Sequence, residues 1–171
     1  GSVGGALTMN AGSFGHETWD FVESIEVIDE DGVIDHLGPK DFRFSYRTVE
    51  FPYPLWFVSC LMQFPESETT TKSELKAMRD QRIKTQPLSE DTCGSVFKNP
   101  KPEYAGDLIE RAGLKGYRIG GCSISIKHAN FIVNEGGARS VDIEELIKHV
   151  QNIVKAKFDV DLETEVRIIG E

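Results

Sequence analysis

Apolar positions fall into short strand-like runs over the first half of the chain and into one long helical stripe near its end. Residues 24–28 and 33–37 gather β-branched side chains on either side of Glu30-Asp31-Gly32, which predicts two strands joined as a hairpin at an Asp-Gly turn. Residues 42–46 alternate aromatic and polar side chains in a strand that delivers Arg47. The nearly unbroken apolar run at 55–64 predicts a strand buried on both faces. A polar helix is expected from Thr70 to about Lys84, with the hydroxyls of Thr70, Thr71 and Ser73 available as caps and Gln86-Pro87 as its stop. Residues 104–112 read as a short helix closed by Gly113, and a glycine-rich return leads into strands at 123–127 and 131–134. Ser140 is placed to cap the clearest helix of the chain. Its residues Val141, Leu146, Ile147, Val150, Ile153, Val154 and Phe158 recur at steps of three and four, a stripe assigned to core packing. A last strand is expected at 166–169. The class is α+β in two parts, 1–85 and 86–171, divided near Gln86-Pro87.

Composition narrows the function classes. A net charge of -9 and a pI near 5.0 over 171 residues argue against a nucleic-acid partner, because phosphates would be repelled by the average surface. No run approaches the roughly 18 apolar residues that span a bilayer, and no charged leader with a cleavable apolar core opens the chain, so no membrane role and a cytoplasmic location are expected. Cys60, Cys93 and Cys122 lack the spacing of a zinc site and read as reduced thiols, with no metal implied.

Candidate chemistry centres on Cys93-Gly94-Ser95-Val96-Phe97-Lys98-Asn99-Pro100, a turn that presents a hydroxyl, an ammonium and an amide within five positions. Such a turn is either a plain connection or a site. Ser95 lacks a GxSxG elbow, so acyl-enzyme chemistry is disfavoured. A hydroxyl can still donate a proton to a carbanion or enolate, which is far more basic than water. Arg47 offers a planar cation suited to a carboxylate or to a structural ion pair. Glu165 stands before the last predicted strand, as acid, base, anchor or solvated charge. Glycine-dense residues 1–15 place Asn10, Ala11, Gly12 and Gly15 where backbone N–H groups can meet a phosphate or a flavin, or simply turn. Without GK[ST] or a strand-GxGxxG-helix context, the segment matches neither familiar nucleotide loop.

The segments GSVGGALTMNAGSFG, FSYRTVEF, GSVFKNP, AGDLIERAGLKGYRIGG, KHANFIVN and LETEVRIIG occur here in this order. Together they resemble the bacterial UDP-N-acetylenolpyruvoylglucosamine reductases, the MurB family of peptidoglycan synthesis, over essentially the whole chain. The resemblance implies the C-terminal part of a two-lobed, vanillyl-alcohol-oxidase-like FAD-binding reductase, with 1–85 the remaining half of its flavin domain and 86–171 its C-terminal substrate-binding domain. The family's N-terminal part, with half of the FAD-binding fold, has no counterpart here, and the opening Gly1-Ser2-Val3-Gly4-Gly5-Ala6 reads as the middle of a motif. Implied with the family are FAD, NADPH as reductant and a UDP-N-acetylglucosamine enolpyruvate substrate. Ser95 matches the family's proton donor, and Arg47 and Glu165 its other catalytic residues. Asn99 and His128 match substrate contacts, and Asn10, Ala11, Gly12 and Gly15 match flavin-contacting backbone. One departure is Thr85, where relatives commonly carry a phosphate-contacting lysine; Lys84 or Arg82 is the expected substitute. The short span from Arg47 to Ser95 places the chain in the branch without the extra tyrosine-bearing loop. Two other readings remain: a catalytically silent UDP-sugar-binding module, and another FAD oxidoreductase of the same superfamily.

Overall fold

Ser2 opens the first element by accepting the Gly5 N–H at 3.1 Å, capping helix α1, Val3–Met9, which Asn10 closes in a left-handed conformation at φ 45. Two glycines lower the helix propensity of this segment, which is why it reads as turn-rich. Burial of Leu7 beside Trp19 offsets that cost. The computed structural model describes residues 1–66 and 72–170, in two compact units, Gly1–Glu68 and Thr69–Glu171.

In the first unit, β1 (Gly12–Ser13) and β2 (His16–Glu17) form a small hairpin. Strands β3 (Val22–Asp29) and β4 (Ile34–Leu37) form the hairpin expected at Asp31-Gly32. Its turn is tied by the Asp29 carboxylate, which accepts the N–H groups of Asp31 and Val33 at 3.0 and 2.8 Å. Next come β5 (Arg43–Ser45) and β6 (Thr48–Glu50), a pair turned at Tyr46-Arg47. Strand β7 (Leu55–Met62) joins β3 to give an antiparallel sheet of order β4-β3-β7. Trp19, Ile25, Val27, Phe42 and Val49 form the core on one side of it.

Burial of β7 on both faces is corrected by the structure. As an edge strand it alternates: Phe57, Cys60 and Met62 pack inward, whereas Trp56 and Leu61 are 57% and 56% exposed. Val58, also exposed, is the extra residue where the register with β3 shifts between Glu26 and Val27.

The second unit holds α2 (Lys72–Thr85), β8 (Thr92–Ser95), α3 (Ala105–Arg111), β9 (Arg118–Ile119), β10 (Cys122–Ile124), β11 (Phe131–Asn134) and α4 (Ser140–Phe158). The cap expectations at Thr70 and Thr71 lie outside the described residues. Strands run β8-β11-β10-β9, all antiparallel, and α3 and α4 cover the sheet through Leu108, Ile109, Leu146, Ile147, Val150 and Val154. Each such aliphatic side chain removed from water stabilises the unit by about 1.5–3 kcal/mol. Arg139, rather than Ser140, is the N-cap of α4, with its N–H donated to the Asp142 carboxylate at 3.0 Å. Val141 sits one position into the helix, where it is 42% exposed and outside the core. Residues 166–169 form no strand: the chain bends at Glu165 and Val166, and Ile169 is 91% exposed. An apolar β-branched run with no partner edge beside it stays irregular.

Candidate active site

Arg47 caps the turn between β5 and β6 at φ 55, a conformation that costs a non-glycine residue on the order of 1 kcal/mol. Its guanidinium offsets that strain. One terminal nitrogen donates to the Asn10 carbonyl and the other to the Gly12 carbonyl, both at 3.0 Å, and the Glu17 carboxylate lies 3.6 Å away. Glu17 also accepts from the Asn10 side chain at 2.7 Å, while the Asn10 side-chain oxygen accepts the Trp19 N–H at 3.2 Å. Arg47, Glu17 and fully buried Asn10 are thus one network around the end of α1.

Two of the four backbone amides expected to face a ligand are engaged inside this network. The Asn10 N–H and the Ala11 N–H donate back to carbonyls of α1, at Leu7 and Ala6. These two N–H groups shape the turn, and the tip of the β1–β2 hairpin, Phe14 and Gly15, is exposed. At Gly15, φ +86, a Cβ would meet nothing within 4 Å beyond its chain neighbours. Gly12 is required for a different reason: a Cβ on it would lie 2.6 Å from the His16 carbonyl oxygen and 2.9 Å from an Arg47 nitrogen. Gly12→Ala is therefore expected to lower stability by about 1–3 kcal/mol, by chemical denaturation, through forced displacement of the β1–β2 hairpin.

The second unit brings the bend at Glu165 beside the end of β8, where Ser95 lies. Gly94, at φ +86, turns β8 so that Ser95 ends it opposite Phe131. Beyond Ser95 the chain continues between two neighbours. On one side Asn130 accepts the Val96 N–H at 2.9 Å; on the other, the Val96 carbonyl accepts the Glu165 N–H at 2.8 Å, Lys98 N–H donates to Glu163, and Phe97 bridges Thr164. The Ser95 hydroxyl donates to no described residue, and both Ser95 and Glu165 are half-buried.

Asn99 and His128 each adjoin the start of α3. The Asn99 side-chain oxygen accepts the Ala105 N–H at 3.0 Å, and a Cβ on Gly106 would come within 3.0 Å of the His128 ring. Burial, aided by the Lys115 charge, lowers the His128 pKa, which keeps its Nδ1 available to accept the Asn130 N–H at 3.2 Å. Lys84 is exposed in the last turn of α2. Lys127 donates to the Ile83 carbonyl, one residue before Lys84, at 2.8 Å. Thr85 turns its hydroxyl back onto Gln81 at 3.0 Å. Lys127 and Asn130 lie within KHANFIVN, and their long-range bonds to Ile83 and Phe97 carry no local sequence signature.

Residues 86–169 match the model of the UDP-N-acetylenolpyruvoylglucosamine reductase C-terminal domain. A curated reductase of that name from Bacillus licheniformis is 42% identical over the whole of this chain, which covers 95% of it. This chain belongs to the UDP-N-acetylenolpyruvoylglucosamine reductase family. The reductase of Alkalilimnicola ehrlichii is 48% identical over the whole chain, which spans 58% of that protein, and coverage of the Nitrosomonas eutropha relative is 54%. The crystal structure of the Thermus caldophilus reductase superposes with a TM-score of 0.78 at 36% identity, over 96% of this chain and 59% of that one. The mixed helix and strand architecture is accordingly that of UDP-N-acetylenolpyruvoylglucosamine reductases. Among the described residues no helix is long and apolar enough to cross a membrane.

Proposed function

We propose that this chain is the C-terminal part of a reductase that converts UDP-N-acetylglucosamine enolpyruvate to UDP-N-acetylmuramate with NADPH and FAD, in the cytoplasm, for peptidoglycan synthesis. The observation that carries the reading is the bond from the Glu165 N–H to the carbonyl of Val96, the residue that follows Ser95, inside a segment that matches the family's C-terminal domain. Residues 1–85 are assigned to the flavin domain and 86–171 to the substrate-binding domain. Exposed Trp56, Val58 and Leu61 offer an apolar face for a further part of such a reductase to cover.

FAD, when bound, supplies a hydride to the enolpyruvyl methylene carbon after reduction by NADPH. Every other task falls to side chains. Ser95 gives its hydroxyl proton to the adjacent carbon as negative charge develops there, a donation open to a weak acid because the acceptor is an enolate-like carbon. Glu165, anchored through its own N–H to the Val96 carbonyl, orients the reacting end of the substrate or polarises it. Arg47 places a permanent cation where the substrate carboxylate gathers charge. Asn99 and His128 hold the sugar-linked part, and Lys84 the diphosphate. For the flavin, the turn at Asn10–Gly12 is held by the Asn10, Glu17 and Arg47 side chains, and the exposed glycine at Gly15 would let a ring approach the main chain.

Adding FAD and recording visible absorbance tests the reading. A bound-flavin spectrum is expected with the complete protein. Uptake of the UDP-sugar by a protein that stays colourless with FAD would favour the silent binding module instead.

A further inference from the structure

We propose that Asn130 is a positioning residue for Ser95, an inference that rests on the reading of Ser95 as proton donor. Asn130 is 4% exposed, and its side-chain amide makes two hydrogen bonds to a single residue. The amide oxygen accepts the Phe97 N–H at 2.9 Å, and the amide nitrogen donates to the Phe97 carbonyl at 2.8 Å. A side chain here does what the backbone of a neighbouring strand does elsewhere in a sheet, for β8 ends at Ser95 and β11 begins only at Phe131.

Chemistry restricts the choice of residue. Phe97 is 2% exposed, so its N–H and carbonyl are cut off from water and need one acceptor and one donor from the same direction. Only a carboxamide supplies both at this length. Aspartate offers no donor when ionised, alanine offers neither group, and glutamine places the amide one methylene too far. The Asn130 main chain adds the bond from Val96 N–H and is itself fixed by its N–H on His128 Nδ1. Asn130 therefore sets the path of the two residues after Ser95, and the Val96 carbonyl that anchors Glu165 lies on that path. Loss of the amide shifts Val96 and Phe97, and the hydroxyl and carboxyl beside them move out of line. A misplacement on the order of 1 Å at a reacting group slows a step about 100-fold.

A general contribution to fold stability would weaken every property of the protein alike; a positioning role predicts a selective defect. In the complete holoenzyme, Asn130→Ala, Ser95→Ala and the double variant are compared by stopped flow for flavin bleaching by NADPH and for recovery of flavin colour on addition of the enolpyruvyl sugar. For Asn130→Ala, bleaching is expected to stay within about twofold of the parent and recovery to slow about 10- to 100-fold. In the Ser95→Ala background the same substitution is expected to add less than about threefold, since two residues acting as one unit do not give additive losses. Asn130→Asp, which keeps the acceptor facing Phe97 N–H, is run through the same cycle and is expected to give a smaller selective slowing, so a misfolded alanine variant does not decide the matter. Equal loss of both half-reactions, unchanged recovery, or a full multiplicative loss on top of Ser95→Ala would overturn the proposal. Recovery at the parent rate in Ser95→Ala alone would instead show that the proton-donor reading had failed.

Discussion

Ser95→Ala in the complete holoenzyme is expected to leave flavin reduction by NADPH intact and to slow reoxidation by the enolpyruvyl substrate about 100- to 10,000-fold, the span of a lost general acid. The selectivity follows from where the hydroxyl acts. Ser95 is aimed by Gly94 and held in register by Phe131, and no described residue takes its proton in the resting structure. Removing one oxygen leaves these backbone bonds in place, so stability should change little, as for most half-exposed polar truncations. Stopped-flow absorbance separates the two half-reactions. Equal slowing of both would reassign Ser95 to the scaffold.

Arg47→Lys is expected to lower turnover about 100-fold or more, although charge is retained. The guanidinium reaches the Asn10 and Gly12 carbonyls at once, 3.0 Å from each, while facing Glu17. An ammonium is a single point of charge and cannot span both carbonyls in one plane. The lysine variant therefore loses the clamp on the Asn10–Gly12 turn and, with the role proposed for Arg47, the fixed orientation of its cation. Loss of two partly buried hydrogen bonds also predicts a stability decrease of about 1–3 kcal/mol. Steady-state kinetics and denaturant titration on the same variant measure both effects. Turnover within a fewfold of the parent would count against any catalytic role for Arg47.

What the residue pattern disclosed, and what it concealed, divides along physical lines. The Asp31-Gly32 hairpin was legible because few sequences satisfy that turn so locally, and α4 because a stripe at helical spacing needs no knowledge of its partner. Helix α1 was hidden by its glycines; its signal lay in Ser2 and Asn10, the two caps, rather than in the residues between. The run at 55–64 misled because apolarity alone does not distinguish a central strand from an edge strand with an uncovered face. Residues 166–169 failed as a strand for the opposite reason, having composition without a pairing edge. Identities of the candidate site residues were legible through motif resemblance. The geometry behind them was not: that Glu165 hangs from the Val96 carbonyl, that Asn130 pairs with Phe97, and that Arg47 clamps the Asn10–Gly12 turn all depend on contacts between distant segments.

The central claim is that a hydroxyl, a guanidinium and a carboxyl of this chain serve the reduction of an enolpyruvyl sugar beside a flavin. Anaerobic titration of the FAD-loaded complete protein tests it in two additions. NADPH should bleach the flavin band, and one equivalent of UDP-N-acetylglucosamine enolpyruvate should then restore it in full. A flavin that bleaches and stays bleached after the sugar is added would contradict the account.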